Sequence, residues 1–254
     1  MELIVDAVSH DFGELAVLRD ISFRVAPGEI LALVGPSGCG KSTLLAIVGG
    51  LLRPRSGTVA TVGARPEGGR NPLTFVFQDF ALLPWRSVAE NVAFALEHWP
   101  IGDAERRAVV ADVLRRTGLA EFADSYPKQL SGGMRQRVGI ARALAARPAM
   151  LLMDEPFSAL DAQTRDLLIE DFMRLVAGTG LGALYVTHNL EEAARLADRV
   201  VVLSGRPARI RDIVTLETAR DARDALYVAG HQQALWSLIR DQAAAADREV
   251  AAGV

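Results

Sequence analysis

Short apolar runs recur along the chain, and most of them are followed by segments with helical periodicity. Four runs have the length of a buried strand and lie at residues 30–34, 150–153, 183–186 and 200–203. A strand that is covered on both faces is apolar throughout, and alternation of such strands with helices is typical of a parallel sheet. The pattern therefore predicts an α/β protein with a parallel-sheet core.

Two stretches depart from this alternation. Residues 2–8 and 18–25 have strand-like patterns separated by a turn, which predicts an antiparallel flank at the N-terminus. From 87 to 146 the apolar spacing is helical, and this block is interpreted as an inserted helical subdomain. Its two expected buried faces carry Val88, Val92 and Leu96, and Val109, Val113 and Leu114.

The pattern also suggests how the chain is divided. We expect one domain over 1–210, with a core at about 1–86 and 147–204 around the helical block at 87–146, and then a short C-terminal helical extension over 211–254. A strand-like segment at 208–216 precedes the helix of this extension. The apolar residues of that helix are Leu226, Ala229, Leu235, Trp236 and Ile239. The last dozen residues are Ala-rich and charged, and we expect them to fray.

Composition excludes several classes of protein. The 254 residues include 28 Lys and Arg against 31 Asp and Glu, a net charge of −3, without a basic stripe, so nucleic acid is not an expected partner. A single cysteine rules out an internal disulfide, and the N-terminus lacks the apolar stretch of a signal peptide. No apolar run approaches the roughly 18–20 residues that span a bilayer. We expect a cytosolic chain whose membrane role depends on partners.

A phosphate-binding motif follows the first apolar run. It matches GxxxxGK[ST] between a predicted strand and a predicted helix and consists of Gly35, Pro36, Ser37, Gly38, Cys39, Gly40, Lys41 and Ser42, with Thr43 next. The glycines let backbone N–H groups point at phosphate, and the helix N-terminus adds positive potential. Lys41 is expected to bridge the β- and γ-phosphates and Ser42 to ligate Mg²⁺. The motif predicts a P-loop NTPase that binds ATP; Cys39 reads as a small filler rather than a redox group.

A second chemical feature is the acidic end of a buried strand. Asp154 and Glu155 follow the run 150–153, and burial of that strand delivers both carboxylates to the C-terminal edge of the sheet. One carboxylate can hold Mg²⁺ and the other can activate the attacking water. Solvated acids that cap the next element are the alternative.

A second glycine-rich helix start lies at Ser131, Gly132, Gly133 and Met134, within Leu-Ser-Gly-Gly-Met. Ser131 offers a hydroxyl, and the glycines allow close approach of the backbone to a phosphate. One nucleotide does not need two such sites in one chain.

Taken together and in this order, these motifs resemble the ATP-binding subunit of an ATP-binding-cassette (ABC) transporter, over nearly all of residues 1–210. The resemblance implies a RecA-like parallel-sheet core, and Phe12 and Val17 at the adenine. It assigns Gln78 to Mg²⁺ and the attacking water, Asp154 to Mg²⁺, Glu155 to general-base catalysis and His188 to the γ-phosphate. The other histidines, His10, His98 and His231, are expected at the surface.

The resemblance also implies an assembly. A head-to-tail dimer would present Ser131 to the nucleotide of its partner, and a loop of Ser158, Ala159, Leu160 and Asp161 would cross to the other subunit. Hydrolysis would then reopen the dimer. Met134 replaces the glutamine that is commonest in the family at this position.

Residues 77–92 indicate which group of ABC transporters the chain resembles. Leu-Leu-Pro-Trp at 82–85 just after Gln78, and residues 161–165 (Asp-Ala-Gln-Thr-Arg), are similar to the nitrate, sulfonate and taurine importers. That group implies a permease dimer, an extracytoplasmic substrate-binding protein, and a location on the cytoplasmic face of the membrane. Trp85 has two open interpretations, contact with the permease or core packing.

Two other classes remain as alternatives. A non-transport cassette ATPase would carry a long coiled-coil insertion or two cassettes in tandem, whereas this sequence has one phosphate loop. A kinase would need an acceptor site and would leave the Ser131 motif and His188 unexplained. An importer ATPase for another solute class is also open.

Overall fold

The computed structural model describes the backbone of residues 1–64 and 72–252, and side chains up to residue 240. The strands are β1 (Glu2–Phe12), β2 (Leu15–Val25), β3 (Ile30–Val34), β4 (Ser56–Val62), β5 (Leu73–Val76), β6 (Met150–Asp154), β7 (Gly182–Val186), β8 (Arg199–Leu203) and β9 (Ile210–Thr215). The α-helices are α1 (Lys41–Val48), α2 (Val88–Phe94), α3 (Asp103–Arg116), α4 (Gly132–Ala145), α5 (Ala162–Val176), α6 (Leu190–Leu196) and α7 (Ala225–Ala252). Short 3₁₀ turns occupy Ala120–Phe122, Pro127–Gln129 and Arg220–Ala222.

The chain forms two compact units. Unit 1 comprises Met1–Gly63 and Ala183–Val254, and unit 2 comprises Ala64–Gly182. The domain boundaries expected from the sequence stay a prediction.

Unit 1 contains the expected antiparallel flank. β1 pairs antiparallel with β2, with Leu3 opposite Val25, and also with β4, with Leu3 opposite Thr61. The pairing of β1 with β2 confirms the antiparallel flank. β4 was not expected, because none of its residues is fully buried and its sequence gives little apolar signal. Its pairing with β1, rather than its own hydrophobicity, makes it a strand.

Unit 1 also contains a mainly parallel sheet in the order β7-β3-β8-β9. β7 and β8 flank β3 in parallel, and β9 runs antiparallel to β8. Every residue of β3 and β7 is buried, as expected for central strands of a parallel sheet. The predicted strands at 30–34, 183–186 and 200–203 are confirmed, and their C-terminal ends lie at one edge of the sheet.

The C-terminal helix buries only some of its apolar residues. Val228 and Leu235 of α7 are buried, whereas Leu226 is 82% exposed and Trp236 is 55% exposed. The two buried residues are seven positions apart and lie on one face, which packs against α6 and β8. The expected helix is present, and Leu226 and Trp236 lie outside its buried face.

Unit 2 contains the parallel pair β5 and β6 together with helices α2 to α5. α2 begins with a capping box, in which Ser87 and Glu90 satisfy each other's backbone N–H groups. Val88, Val92 and Leu96 are fully buried, which confirms the first predicted helical face. α3 buries Val110, with Val113 and Leu114, whereas Val109 is only half-buried, so the second face is rotated from the predicted one.

Candidate nucleotide-binding site

The phosphate loop of unit 1 lies between the end of β3 and the start of α1, as its sequence predicts. Gly40 is the N-cap of α1 and has φ 115°, a left-handed conformation that glycine adopts readily. A Cβ atom on Gly40 would lie 2.7 Å from Cγ1 of Val17 and 3.0 Å from Cδ2 of Leu18. Both the backbone angle and the space therefore require glycine at this position.

Lys41 is folded into its own loop. Its side chain is buried, and Nζ donates hydrogen bonds to the carbonyl oxygens of Gly35, at 2.8 Å, and Pro36, at 3.0 Å. These two carbonyls hold the charge at the loop and keep its hydrogen bonds satisfied. Ser42, one residue further along α1, is exposed. The arrangement suits an anion that accepts from the ammonium while a cation binds the hydroxyl.

Cys39 lies beneath the same loop. The thiol is 1% exposed, burial raises its pKa, and the charge of Lys41 opposes that increase only in part. A buried thiol with a raised pKa is a poor nucleophile. This agrees with Cys39 as a filler and implies slow labelling by thiol reagents.

The two residues expected at the adenine have different surroundings. Phe12 ends β1 and is 51% exposed, and its ring packs edge-on against His10 with 4.8 Å between centroids. Val17 is 5% exposed and packs against Gly40, so it supports the loop from below. The expectation of a surface position was wrong for His10, because both its ring nitrogens are buried.

His188 is exposed just beyond β7, at the same sheet edge as the phosphate loop. The flanking Thr187 is buried, donates from Oγ1 to Glu192 at 2.9 Å and accepts from the N–H of Asn189 at 3.0 Å. The side chain of Asn189 in turn caps α6. His188 therefore projects from a backbone that is fixed on both sides.

Glu192 was missed by the sequence reasoning. It is 4% exposed and also accepts a hydrogen bond from the hydroxyl of Tyr185. In the sequence Glu192 is one of two acidic residues in the first turn of α6, a position where exposed carboxylates are common. Its role is seen only from its buried partners: Tyr185 and Thr187 precede His188 in the chain, and Glu192 follows it. Their hydrogen bonds hold the backbone on both sides of His188.

Unit 2 places Gln78 and the acidic pair at a common edge. β5 and β6 are parallel, with Val76 opposite Met153, so Gln78 beyond β5 and Asp154 at the end of β6 lie at corresponding positions. Asp154 and Glu155 are half-buried, and Gln78 is exposed. Glu155 has φ 45°, an uncommon conformation for a residue with a side chain and one that is concentrated at functional sites.

The loop after Gln78 is pinned by the helix that begins at Ser131. Phe80 and Ala81 both have positive φ, and their carbonyl oxygens accept hydrogen bonds from Arg142 of α4 at 2.9 and 2.6 Å. Burial lowers the pKa of Arg142 from its usual value, which is so high that the side chain remains charged. Arg142 was not singled out from the sequence, because a single arginine in a helix is usually solvated.

The second glycine-rich helix start is built differently from the first. Ser131 is the N-cap of α4, is exposed, and accepts a hydrogen bond from the N–H of Met134 at 3.2 Å. Gly133 is buried against α5, and a Cβ there would lie 2.7 Å from Cγ2 of Thr164. The glycine is therefore required for packing inside unit 2 as well as for any external contact.

The loop of residues 158–161 leads into α5. Ser158 Oγ donates to the carbonyl oxygen of Glu155 at 2.9 Å, which links this loop to the acidic strand end. Asp161 caps α5 by accepting from the N–H of Thr164 at 3.0 Å, and this bond lowers the pKa of the carboxyl. Leu160 is 7% exposed, whereas Ala159 is exposed.

Trp85 lies on a loop that is held by one buried side chain. Asn91 of α2 is fully buried, and its Nδ2 donates to the carbonyl oxygens of Leu83, Arg86 and Ser87 at 3.1, 3.0 and 2.9 Å. Its Oδ1 accepts from the N–H of Leu83 at 2.8 Å. Trp85 is 70% exposed on this fixed loop. The core-packing interpretation of Trp85 is therefore wrong.

Within the residues that the structure describes, no cluster of three or more His, Cys, Asp or Glu side chains could hold a metal ion by itself. No helix in the same part of the chain is long and apolar enough to cross a membrane.

Comparison with known proteins places these features in a family. The family model described as ABC transporter matches residues 18–158. The chain is 47% identical over 229 residues to the aliphatic sulfonates import ATP-binding protein of Xanthomonas axonopodis pv. citri, covering 90% of this chain and 91% of that protein. It is 46% identical over 222 residues to the taurine import ATP-binding protein of Pseudomonas aeruginosa, covering 86% and 84% of the two chains.

A solved structure agrees with this assignment. The dimeric ATP-binding cassette MJ0796, in a post-hydrolysis state bound to ADP and Pi, superimposes with a TM-score of 0.72 at 30% identity. The match covers 85% of this chain and 100% of that one. The expected P-loop NTPase fold is confirmed, and the chain belongs to the ABC transporter family as an ATP-binding, ATP-hydrolysing cassette.

Proposed function

We propose that this chain powers the import of a small solute of the sulfonate, taurine or nitrate kind through a membrane permease. The observation that carries the proposal is the similarity to sulfonate and taurine import ATP-binding proteins along 86–90% of the chain. The cofactors are ATP and Mg²⁺, and the chain works at the cytoplasmic face of the membrane through its permease.

The phosphate loop binds the nucleotide. The backbone N–H groups of the loop between Gly35 and Thr43, except at Pro36, which has none, bind the phosphates together with the ammonium of Lys41. Phe12 stacks on the base above Val17. Ser42, Gln78 and Asp154 supply the oxygen donors that Mg²⁺ prefers alongside nucleotide phosphates. The ion neutralises charge that develops on the transferring phosphoryl group.

Hydrolysis depends on three further side chains. Glu155 accepts the proton of the attacking water, Gln78 orients that water, and His188 contacts the γ-phosphate. The variant Glu155→Gln keeps the shape but removes the base, so we expect it to bind ATP and dimerise while turnover falls by 10²-fold or more. A variant with wild-type turnover would remove Glu155 from this role.

The signature motif serves a second copy of the chain. Ser131, Gly132, Gly133 and Met134 contact the partner's nucleotide in a head-to-tail dimer, and residues 158–161 cross the interface. The exposed position of Ser131 at a helix N-terminus supports this, as does the dimeric state of the MJ0796 cassette.

A mixed dimer tests this assignment. Combining a Ser131→Arg subunit with a Lys41→Ala subunit leaves one composite site intact if the signature acts across the interface, and we expect about half the wild-type turnover. If each signature served its own chain, both sites would be damaged and the mixed dimer would be as inactive as either homodimer.

The loop that carries Trp85 contacts the permease. Trp85 and Arg86 lie within 82–92, and a groove of about 400 Å³ between α2 and α3 includes Ala89 and Glu90 of the same segment. An exposed tryptophan on a rigid loop suits a protein interface. We expect Trp85→Ala and Arg86→Glu to lose solute-stimulated hydrolysis while the isolated subunit keeps its nucleotide affinity.

The solute is tested through the assembled transporter. The chain is purified with the permease encoded beside it, and the melting temperature of the accompanying substrate-binding protein is measured with taurine, ethanesulfonate, nitrate and sulfate. A taurine, sulfonate or nitrate shift supports the proposal, and a shift with sulfate alone assigns another solute class. Failure to associate with any membrane protein would favour a non-transport ATPase.

A further inference from the structure

The turn after β8 lies against the phosphate loop. A Cβ atom on Gly35 would lie 2.9 Å from the carbonyl oxygen of Leu203, the last residue of β8. β8 is parallel to β3, so the chain leaves both strands at the same edge of the sheet. Residues 204–209, which follow, thus begin beside the site where phosphate is expected to bind.

This turn is fixed at both its ends. Ser204 N–H donates to the carbonyl oxygen of Arg209 at 2.9 Å, and Arg209 N–H donates to Ser204 Oγ at 2.9 Å. The buried Ala208 donates to the carbonyl oxygen of Val17 at 2.8 Å and accepts from Arg19 N–H at 2.9 Å. Val17 is the side chain that packs against Gly40. The turn and the phosphate loop therefore share a common support and are preorganised.

Arg206 lies at the tip of this turn and points at the loop. Its Nη2 lies 3.3 Å from the position that a Cβ atom would take on Gly38. Burial raises the pKa of Cys39, and the charge of Arg206 is close enough to oppose that increase. No ion pair among the described residues involves Arg206, and its side chain is exposed.

We propose that Arg206 binds the phosphate chain of the nucleotide on its own subunit's phosphate loop. Lys41 and Arg206 bring two cations to one loop, and an anion between them relieves their repulsion. A guanidinium presents several planar N–H donors that suit phosphate oxygens. The inference rests on the proposed nucleotide binding, and it adds a residue that belongs to none of the recognised motifs.

The test is the affinity of the isolated subunit for Mg-ATP, Mg-ADP and inorganic tripolyphosphate, with Arg206→Ala compared with wild type. Loss of one charge-assisted hydrogen bond predicts roughly tenfold weaker binding of ATP and of tripolyphosphate. Arg206→Lys keeps the charge without the planar donors, so we expect an intermediate loss. Tripolyphosphate lacks a base and a ribose, so its response isolates the phosphate contact.

Arg209→Ala is the matched control, because Arg209 is an exposed arginine of the same turn whose turn contacts are made by its backbone. We expect this variant to bind as wild type. Equal losses in both variants would indicate general electrostatics and overturn the proposal, as would unchanged binding in Arg206→Ala. A loss for ATP with wild-type tripolyphosphate affinity would assign Arg206 to the nucleoside and also overturn it.

One further variant and one further measurement separate this proposal from the function on which it rests. Lys41→Ala should weaken binding of all three ligands by roughly 100-fold; if binding is unchanged, the loop is not the nucleotide site and the proposed function fails first. Wild-type nucleotide affinity together with weakened ATP-dependent dimerisation in Arg206→Ala would place Arg206 at the subunit interface instead.

Discussion

Two glycine-rich helix starts, at α1 and at α4, look alike in sequence and differ in structure. Gly40 caps α1 without a side chain, and the buried Lys41 is bonded to carbonyls of its own loop. Ser131 caps α4 with its hydroxyl and is exposed. Lys41 is thus a buried cation within the first loop, whereas the second helix start presents an exposed hydroxyl and the N-terminal end of a helix dipole. This difference supports the proposal that the first site binds a nucleotide by itself and that the second completes a site on a partner subunit.

The largest expected effect is on nucleotide affinity, which should fall when the first helix start is altered and stay nearly unchanged when the second is altered. Lys41→Ala removes the cation of the first site, and we expect nucleotide affinity of the isolated subunit to fall by roughly 100-fold. Ser131→Arg should leave that affinity within about twofold while abolishing ATP-dependent dimerisation. Titration with a fluorescent ATP analogue and size-exclusion chromatography measure the two effects. Equal loss of binding in both variants would contradict the comparison.

The next effect concerns the glycine of the first site. In Gly40→Ala the new Cβ atom would lie 2.7 Å from Cγ1 of Val17, and the alanine would also have to adopt φ 115°. We expect a loss of about 2–4 kcal/mol in the free energy of unfolding, the sum of overpacking and of an unfavourable backbone angle. Adding Val17→Ala removes the clash but not the angle, so rescue should be incomplete. Urea unfolding of the single and double variants measures this, with Val17→Ala alone as the control.

The corresponding glycine of the second site should behave differently. In Gly133→Ala the new Cβ atom would lie closer than 3 Å to one atom only, Cγ2 of Thr164. Gly133 is within a regular helix, so the backbone angle adds no strain. We expect a loss of about 1–3 kcal/mol from overpacking. Thr164→Ser removes that methyl group and keeps the hydroxyl, so the double variant should recover most of the stability. Absence of coupling between these two positions would show that the clash is not the cause.

The smallest expected effect is the pH dependence of the stability that Asp161 contributes as the N-cap of α5. The pKa of Asp161 is lowered by its hydrogen bond to Thr164, so its stabilisation is fully present above the unfolded pKa of about 3.9. That stabilisation is lost as the pH falls through the lower folded pKa. The stability difference between wild type and Asp161→Asn should therefore shrink below about pH 4. Melting temperatures from pH 3 to 7 measure it, with Asp103→Asn, in a first turn without a side-chain cap, as the control.

Much of this architecture is present in local sequence patterns. The buried strands at 30–34, 150–153, 183–186 and 200–203 were predicted because a strand buried on both faces must be apolar along its whole length. The start of α1 follows from the phosphate-loop motif, and the start of α2 follows from its capping box. These signals are short-range, so one sequence suffices to find them.

Other features depend on which distant residues meet. β4 is a strand through its pairing with β1, and Glu192 is anchored by Tyr185 and Thr187. Trp85 is exposed because Asn91 holds its loop. None of these outcomes follows from the residue type or its immediate neighbours.

The sequence alone determined the nucleotide chemistry of this protein, because a phosphate loop, an acidic strand end and a signature motif each require particular residues at fixed spacing. Only the tertiary structure decided that Arg206 points at Gly38 and that Thr164 limits Gly133. Such contacts join residues that are far apart in the chain, and hydrophobic periodicity specifies that a face is buried without specifying its partner.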